Sequence, residues 1–290
     1  MVKAMRMKRF GAGLAVLGIL AGSSCRCRKD SGGPSGDAEG YRLVWSDEFD
    51  SEGATDPANW KFESGFVRNE EAQWYQPSNA SCENGLLVIE ARRERVRNPS
   101  YSAGSGNWKT NREYAEYTSS SLLTGGLHAW KYGRFEMRAR FDTRAGLWPA
   151  FWTLGRAGDW PHCGEIDIME YYNNGILANF AWGAAQKWQA VWDSSFKPLA
   201  DFGDPEWQEK FHVWRMDWDD KIIRIFLDDM PLNALDVTQA VNRDGSDFNP
   251  FQQEHFIIVN LAVGGTAGGD PSRTLFPARY EIDYVRVYQK

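Results

Sequence analysis

The residues best placed to do chemistry lie in one segment, Trp160-Pro161-His162-Cys163-Gly164-Glu165-Ile166-Asp167-Ile168-Met169-Glu170-Tyr171-Tyr172. In an extended strand alternate residues share a face, so Glu165 and Asp167 point one way while Ile166 and Ile168 point the other. Strict alternation would turn Glu170 inward and leave Met169 beside the acids. A one-residue β-bulge near Ile168-Met169 restores the phase, buries Met169 and brings Glu170 to the acidic face. Like charges crowded on one ridge destabilise a strand. A chemical task explains that arrangement better than stability does.

Cleavage of a glycosidic bond uses such a set. One carboxylate attacks the anomeric carbon and a second carboxyl protonates the leaving oxygen, the two being roughly 5–5.5 Å apart when configuration is retained. Glu165 is expected to be the ionised nucleophile. Glu170 is expected to be the acid/base, its proton held by negative neighbours, with Asp167 orienting the nucleophile. Spacing alone allows the two glutamates to exchange roles. A merely solvated strand face is a poorer reading, given the flanking Trp and the required bulge. So is a Ca²⁺ site, because one strand offers too narrow an arc for the 6–8 oxygens that ion takes.

Composition agrees with a neutral ligand. The net charge of -6 leaves no basic stripe to follow a phosphate backbone, which excludes nucleic acid as the expected partner. The 14 Trp among 290 residues supply flat apolar faces suited to pyranose rings. Any single Trp could equally fill a core. His128, His162, His212 and His255 lack metal-ligand spacing and read as structural.

Residues 1–25 read as an export signal: Lys3, Arg6, Lys8 and Arg9 precede an apolar run from Gly11 to Ala21, too short to span a bilayer. The run closes on Gly22-Ser23-Ser24-Cys25, similar to the lipobox of bacterial lipoproteins although Gly22 stands where Leu is usual. Lipid attachment at Cys25 would tether an exported protein to the cell envelope; ordinary cleavage would free it as a secreted or periplasmic one. Residues 26–40 read as a flexible linker. Residues 41–290 form one catalytic domain, expected to be monomeric. Pairing of Cys82 with Cys163 is left open by spacing.

Arg134-Phe135-Glu136-Met137-Arg138-Ala139-Arg140-Phe141 alternates charged and apolar residues, as a half-buried strand does. Further strands are expected at 42–47, 86–92, 119–123, 149–154, 164–171, 176–183, 211–218, 221–227, 255–262 and 280–288. No segment carries a strong helical stripe. The fold class is therefore all-β, a two-sheet jelly-roll sandwich. Two long, aromatic-rich connections, 93–118 and 184–210, are expected to wall a cleft.

Glu165-Ile166-Asp167-Ile168-Met169-Glu170, preceded by Gly146-Leu147-Trp148-Pro149-Ala150-Phe151-Trp152, resembles glycoside hydrolase family 16, which includes laminarinases, lichenases, agarases and κ-carrageenases. Trp45-Ser46-Asp47-Glu48-Phe49, Arg68-Asn69-Glu70-Glu71, Tyr132-Gly133-Arg134-Phe135-Glu136, Asn260-Leu261-Ala262-Val263-Gly264-Gly265 and Asp283-Tyr284-Val285-Arg286-Val287-Tyr288 extend the likeness over nearly all of 41–290. The resemblance implies Glu165 as nucleophile, Asp167 as helper, Glu170 as acid/base, and endo-cleavage in an open cleft without a catalytic cofactor. It also implies sugar stacking at Trp148 and Trp152, hydrogen bonds from Asn69 and Arg134, and a structural Ca²⁺ between Glu48 and Asp283. Laminarinases commonly carry a cleft His on the strand after the acids; this chain reads Ala178-Asn179-Phe180-Ala181-Trp182-Gly183, so Trp182 is expected as an aromatic wall instead. A β-1,3- or mixed-linkage glucan is the leading substrate and a β-galactan the second. A non-catalytic glucan-binding protein is the alternative of a different kind; relatives of that type lose the acids, which this chain keeps.

Overall fold

The computed structural model describes residues 40–290, so the export-signal, linker and Cys25 readings lie outside the described residues. In chain order the first strands are β1 (Arg42–Asp47), β2 (Lys61–Phe62), β3 (Gln73–Tyr75), β4 (Ala80–Glu83), β5 (Leu86–Ala91), β6 (Val96–Arg97), β7 (Tyr114–Ala115), β8 (Tyr117–Ser119), β9 (Ser121–Leu123) and β10 (Gly133–Phe141). They continue as β11 (Leu147–Gly155), β12 (Glu165–Tyr172), β13 (Gly175–Gly183), β14 (Ala190–Pro198), β15 (His212–Trp218), β16 (Ile222–Leu227), β17 (Met230–Asp236), β18 (His255–Val263) and β19 (Ala278–Gln289).

Two antiparallel sheets make the sandwich. One runs β17-β16-β15-β10-β19-β5-β4, with β1 also paired to β19; the other runs β14-β13-β12-β11-β18-β9-β2. Alternation fixes which side each strand buries. On β10, Phe135, Met137 and Ala139 point into the core, where Trp214 and Met216 of β15 and Val285 and Val287 of β19 join them. Opposite, Phe151, Ile166, Met169, Phe180 and Val259 close the core from the second sheet. Burial of these large apolar side chains, each worth about 1.5–3 kcal/mol, is what holds the two layers together.

The segment 184–210 is not all loop, because it contains β14, an edge strand paired to β13 over its whole length. Its alternation was hidden because the aromatic residues Trp192 and Phe196 lie on the solvent side rather than in the core. The segment 93–118 contributes β6, β7 and part of β8 and does not line the cleft described below. It braces one cleft segment from behind: Arg112 donates to the Glu71 carbonyl at 2.8 Å.

The implied calcium pair does not fit that ion. Glu48 accepts both nitrogens of Arg286 at 2.8 Å, and Asp283 accepts Arg138 at 2.7 Å. Each carboxylate is thus already neutralised by a guanidinium. Among the described residues no three His, Cys, Asp or Glu side chains converge on one point.

Cys82 and Cys163 are separate buried thiols, pushed by burial up to about 11 and about 12 respectively. Of the histidines, His255 is fully buried between Thr153 and the Pro250 carbonyl, and burial pushes it down to about 4. It is a neutral core group.

Candidate active site

β12 begins directly after Gly164, whose φ of +79° is open to glycine. Against β11 the register pairs Leu154 with Glu165, Trp152 with Asp167, Phe151 with Met169 and Ala150 with Glu170. Ile168 has no partner there, and the register on the β13 side also shifts between Asp167 and Glu170. The expected bulge is present. It places Ile168 and Met169 together in the core and turns Glu165, Asp167 and Glu170 to the outer face of the sheet.

Each carboxyl has its own partners. The Trp160 indole N–H donates to Glu165 Oε2. Glu170 accepts Trp148 Nε1 at 2.8 Å on one oxygen and Asn179 Nδ2 at 3.0 Å on the other. Asp167, 1% exposed, lies between them. Burial drives the Asp167 carboxyl well above the usual carboxylate range, and repulsion from Glu170 and Glu165 adds to it. Three crowded carboxyls cannot all ionise. A protonated Asp167 donates to Glu165, which favours the ionised form of that neighbour.

The two glutamates differ in setting. Burial raises both, but Glu165 is pulled back by the Trp160 and Asp167 hydrogen bonds and by the nearby Arg68 cation. Glu170 is pushed up to about 7, chiefly by burial, with the Glu165 charge adding to it against the opposing Trp148 and Asn179 hydrogen bonds. Near neutral pH the site can therefore hold a proton on Glu170 while Glu165 is anionic. That is the division of labour a retaining displacement needs.

A polar network backs the cleft. Trp152 Nε1 donates to Asn260 Oδ1 at 2.8 Å, and Asn260 Nδ2 donates to Tyr75 Oη at 3.1 Å. The Arg68 guanidinium lies 5.0 Å from the Trp152 ring centre and pairs with Glu63. Glu71 accepts Gln73 Nε2 at 2.7 Å. Asn69 and Glu70 both adopt positive φ, which turns this segment against the end of β18, where Ala72 N–H reaches the Val263 carbonyl at 2.8 Å and Thr266 N–H reaches the Asn69 carbonyl at 2.9 Å.

These groups line a cleft of about 670 Å³. Asn69, Trp148 and Trp152 line it as the resemblance implied, although both indoles are largely buried and tethered through their N–H groups. The open aromatic faces belong to Trp160 (37% exposed), Trp192 (49%) and Trp188 (57%). Two expected contacts are elsewhere. Arg134 is on β10 of the opposite sheet, held at 2.6 Å by Asp217. Trp182 points into the core against Phe251, because Asn179 and Ala181 take the cleft-facing parity of β13.

Sequence reasoning missed Asn179, Tyr172 and Arg68 as cleft residues and Trp160 as a carboxylate partner. Asn179 was within reach of it: pairing β13 against β12 by parity sets a side chain beside Asp167. Trp160 is not, since only the turn before β12 returns its indole to Glu165.

Comparison with known proteins agrees with this geometry. The chain matches the model for glycosyl hydrolases family 16 over residues 69–286. It is 36% identical over 269 residues to a β-glucanase of Rhodothermus marinus, covering 86% of this chain and 85% of that protein. A structure described for endo-acting O-glycanases, which members of the human gut microbiota express to initiate mucin breakdown, superposes with a TM-score of 0.79 at 32% identity. The match covers 88% of this chain and 93% of that one. The laminarinase catalytic domain of Thermotoga petrophila superposes with a TM-score of 0.71 at 33% identity, covering 86% of this chain and 98% of that one. The sandwich, the bulged acidic strand and these matches together make this chain a member of glycosyl hydrolase family 16, an endo-glycanase that acts with retention of configuration.

Proposed function

We propose that Glu165 attacks the anomeric carbon while Glu170 protonates the departing glycosidic oxygen, and that Glu170 then deprotonates the water that hydrolyses the glycosyl-enzyme. Asp167 keeps its proton and hydrogen-bonds Glu165, orienting it and limiting the charge in the cluster. The observation that carries the reading is the unequal setting of two glutamates on one bulged strand: a cation and indole N–H beside Glu165, and a proton held to about pH 7 on Glu170.

The substrate we infer is a β-1,3- or β-1,3-1,4-linked glucan, supported by the likeness to the β-glucanase and the laminarinase domain. A second reading, endo-cleavage of β-galactosyl bonds in mucin-type glycans, has its own support. The cleft face of β13 presents Gly175, Leu177, Asn179 and Ala181 and lacks the His common in laminarinases, and the chain also superposes on an O-glycanase structure. The lipobox-like run ending at Cys25 supports export to the cell envelope.

The test is a product assay on laminarin, lichenan, agarose and mucin O-glycans with wild type and Glu165→Gln. Shortened glucans from wild type alone support the first reading; shortened mucin glycans with intact glucans support the second. No shortening of any of them, or a Glu165→Gln variant as fast as wild type, sinks the catalytic assignment.

A further inference from the structure

We propose that Phe196 is the platform of an outer sugar-binding subsite, one that takes the apolar face of a pyranose unit two strands away from the catalytic strand. The proposal builds on the endo-glycanase reading of the same cleft. Cross-strand register puts Ala150, Glu170, Leu177 and Phe196 in one row across β11, β12, β13 and β14. Paired residues of an antiparallel sheet share a face, so Phe196 looks out on the same side as Glu170. Two inter-strand spacings separate them, about 10 Å. A chain bound across the sheet at Glu170 runs toward Phe196.

The same strand already contributes to the cleft. Trp192 and Ser194, which share the Phe196 face of β14 at two-residue steps, line it. Phe196 lies beyond that lining on the outermost strand, 51% exposed.

Its ring has a built seat. Gly175 is on the cleft face of β13, diagonal to Phe196, and a Cβ there would stand 2.4 Å from two Phe196 ring carbons. Only glycine lets the ring lie against the backbone. The Cε2–Cζ edge of the ring is thereby seated against Gly175 while half of the side chain stays open, available to the C–H face of a sugar. A lone exposed Phe is ordinary. A Phe seated against a glycine, in row with the acid Glu170 and in line with a cleft Trp, is placed as a binding surface.

The test measures binding in the Glu165→Gln background, by affinity electrophoresis through gels containing laminarin, lichenan or mucin O-glycans, and by titration with disaccharides of the same polymers. Adding Phe196→Ala should weaken affinity for the bound polymer about three- to tenfold. Disaccharide affinity should be unchanged, and Phe196→Trp should restore polymer binding. Gly175→Ala should reproduce the loss, because its methyl displaces the ring. Equal polymer affinity with and without Phe196→Ala, or an equal loss on disaccharides, overturns the outer subsite. Cleavage by the Glu165→Gln parent is scored separately; if it matches wild type, the catalytic reading fails whatever Phe196 does.

Discussion

Trp148 Nε1 donates to Glu170 Oε1 at 2.8 Å from the neighbouring strand, so an indole at the cleft floor sets both the position and the acidity of the expected proton donor. The bond favours the ionised carboxylate and opposes the burial that pushes Glu170 up to about 7. Trp148→Phe keeps the ring and removes the donor. The basic limb of the kcat/KM profile should then move to higher pH, with kcat near neutrality reduced about tenfold, the scale of one lost charge-assisted hydrogen bond. A pH–rate profile of the variant on whichever polysaccharide wild type cleaves checks both.

For wild type the same profile should be bell-shaped. Glu170 must hold its proton, so kcat/KM should fall as pH rises through about 7; Glu165 must lose its proton, which sets the acid limb. Glu170→Gln should lose about 10²–10⁴-fold on natural glycans, the usual scale of general-acid assistance. It should retain the glycosylation step on aryl glycosides with good leaving groups. A variant equally slow on both substrates would show that Glu170 is not the acid.

Stability gives an independent check on Glu170. Its folded-state pKa is raised above the unfolded value near 4.5, so the folded protein holds the extra proton between those two values and loses stability as pH rises through about 7. Glu170→Gln removes that penalty. The melting temperature of the variant relative to wild type should be higher at pH 8 than at pH 5, at about 2–4 °C for each kcal/mol. Thermal melts at the two pH values decide it.

Arg68 joins the fold to the chemistry. It is paired with Glu63, stacked on Trp152 and close enough to Glu165 to favour that carboxylate's ionised form. Arg68→Met leaves the partly buried Glu63 without its cation and should cost about 1.5–3 kcal/mol, the scale of a hydrogen bond to a charged group. Where the variant remains folded, the acid limb of activity should move to higher pH, because the cation that lowers Glu165 is gone. Urea unfolding and the pH profile separate the two effects.

Trp192 tests the open face of the cleft. It is half exposed, lines the cleft and stands in the cross-strand row of Glu165, two strands away through Ala181. Trp192→Ala should raise KM about three- to tenfold with kcat little changed, since a stacking contact made equally in the ground state and the transition state contributes to binding rather than to turnover. A fall in kcat at unchanged KM would place Trp192 in the chemistry instead.

On β10 and β12 the chain alone carries the parity. The period of two is local, so Glu165 with Asp167, Ile166 against the core, and the bulge needed to bring Glu170 round were all legible in one stretch of chain. The Phe135-Met137-Ala139 alternation likewise announced a half-buried strand and, with its counterparts, the sandwich. Which strands become neighbours, and with what register, depends on contacts between residues far apart in the chain. Strand pairing sets Asn179 beside Asp167 and puts Arg134 on the opposite sheet with Asp217. It also turned Trp182 inward, because the cleft parity of β13 belongs to Asn179 and Ala181. The edge strand β14 escaped the sequence reading for a related reason: its aromatic side chains Trp192 and Phe196 face solvent, so the alternation there does not mark a core. The two acidic roles became distinguishable last, since burial, Arg68 and two indole N–H groups set the proton affinities of Glu165 and Glu170, and all of these come from other parts of the fold.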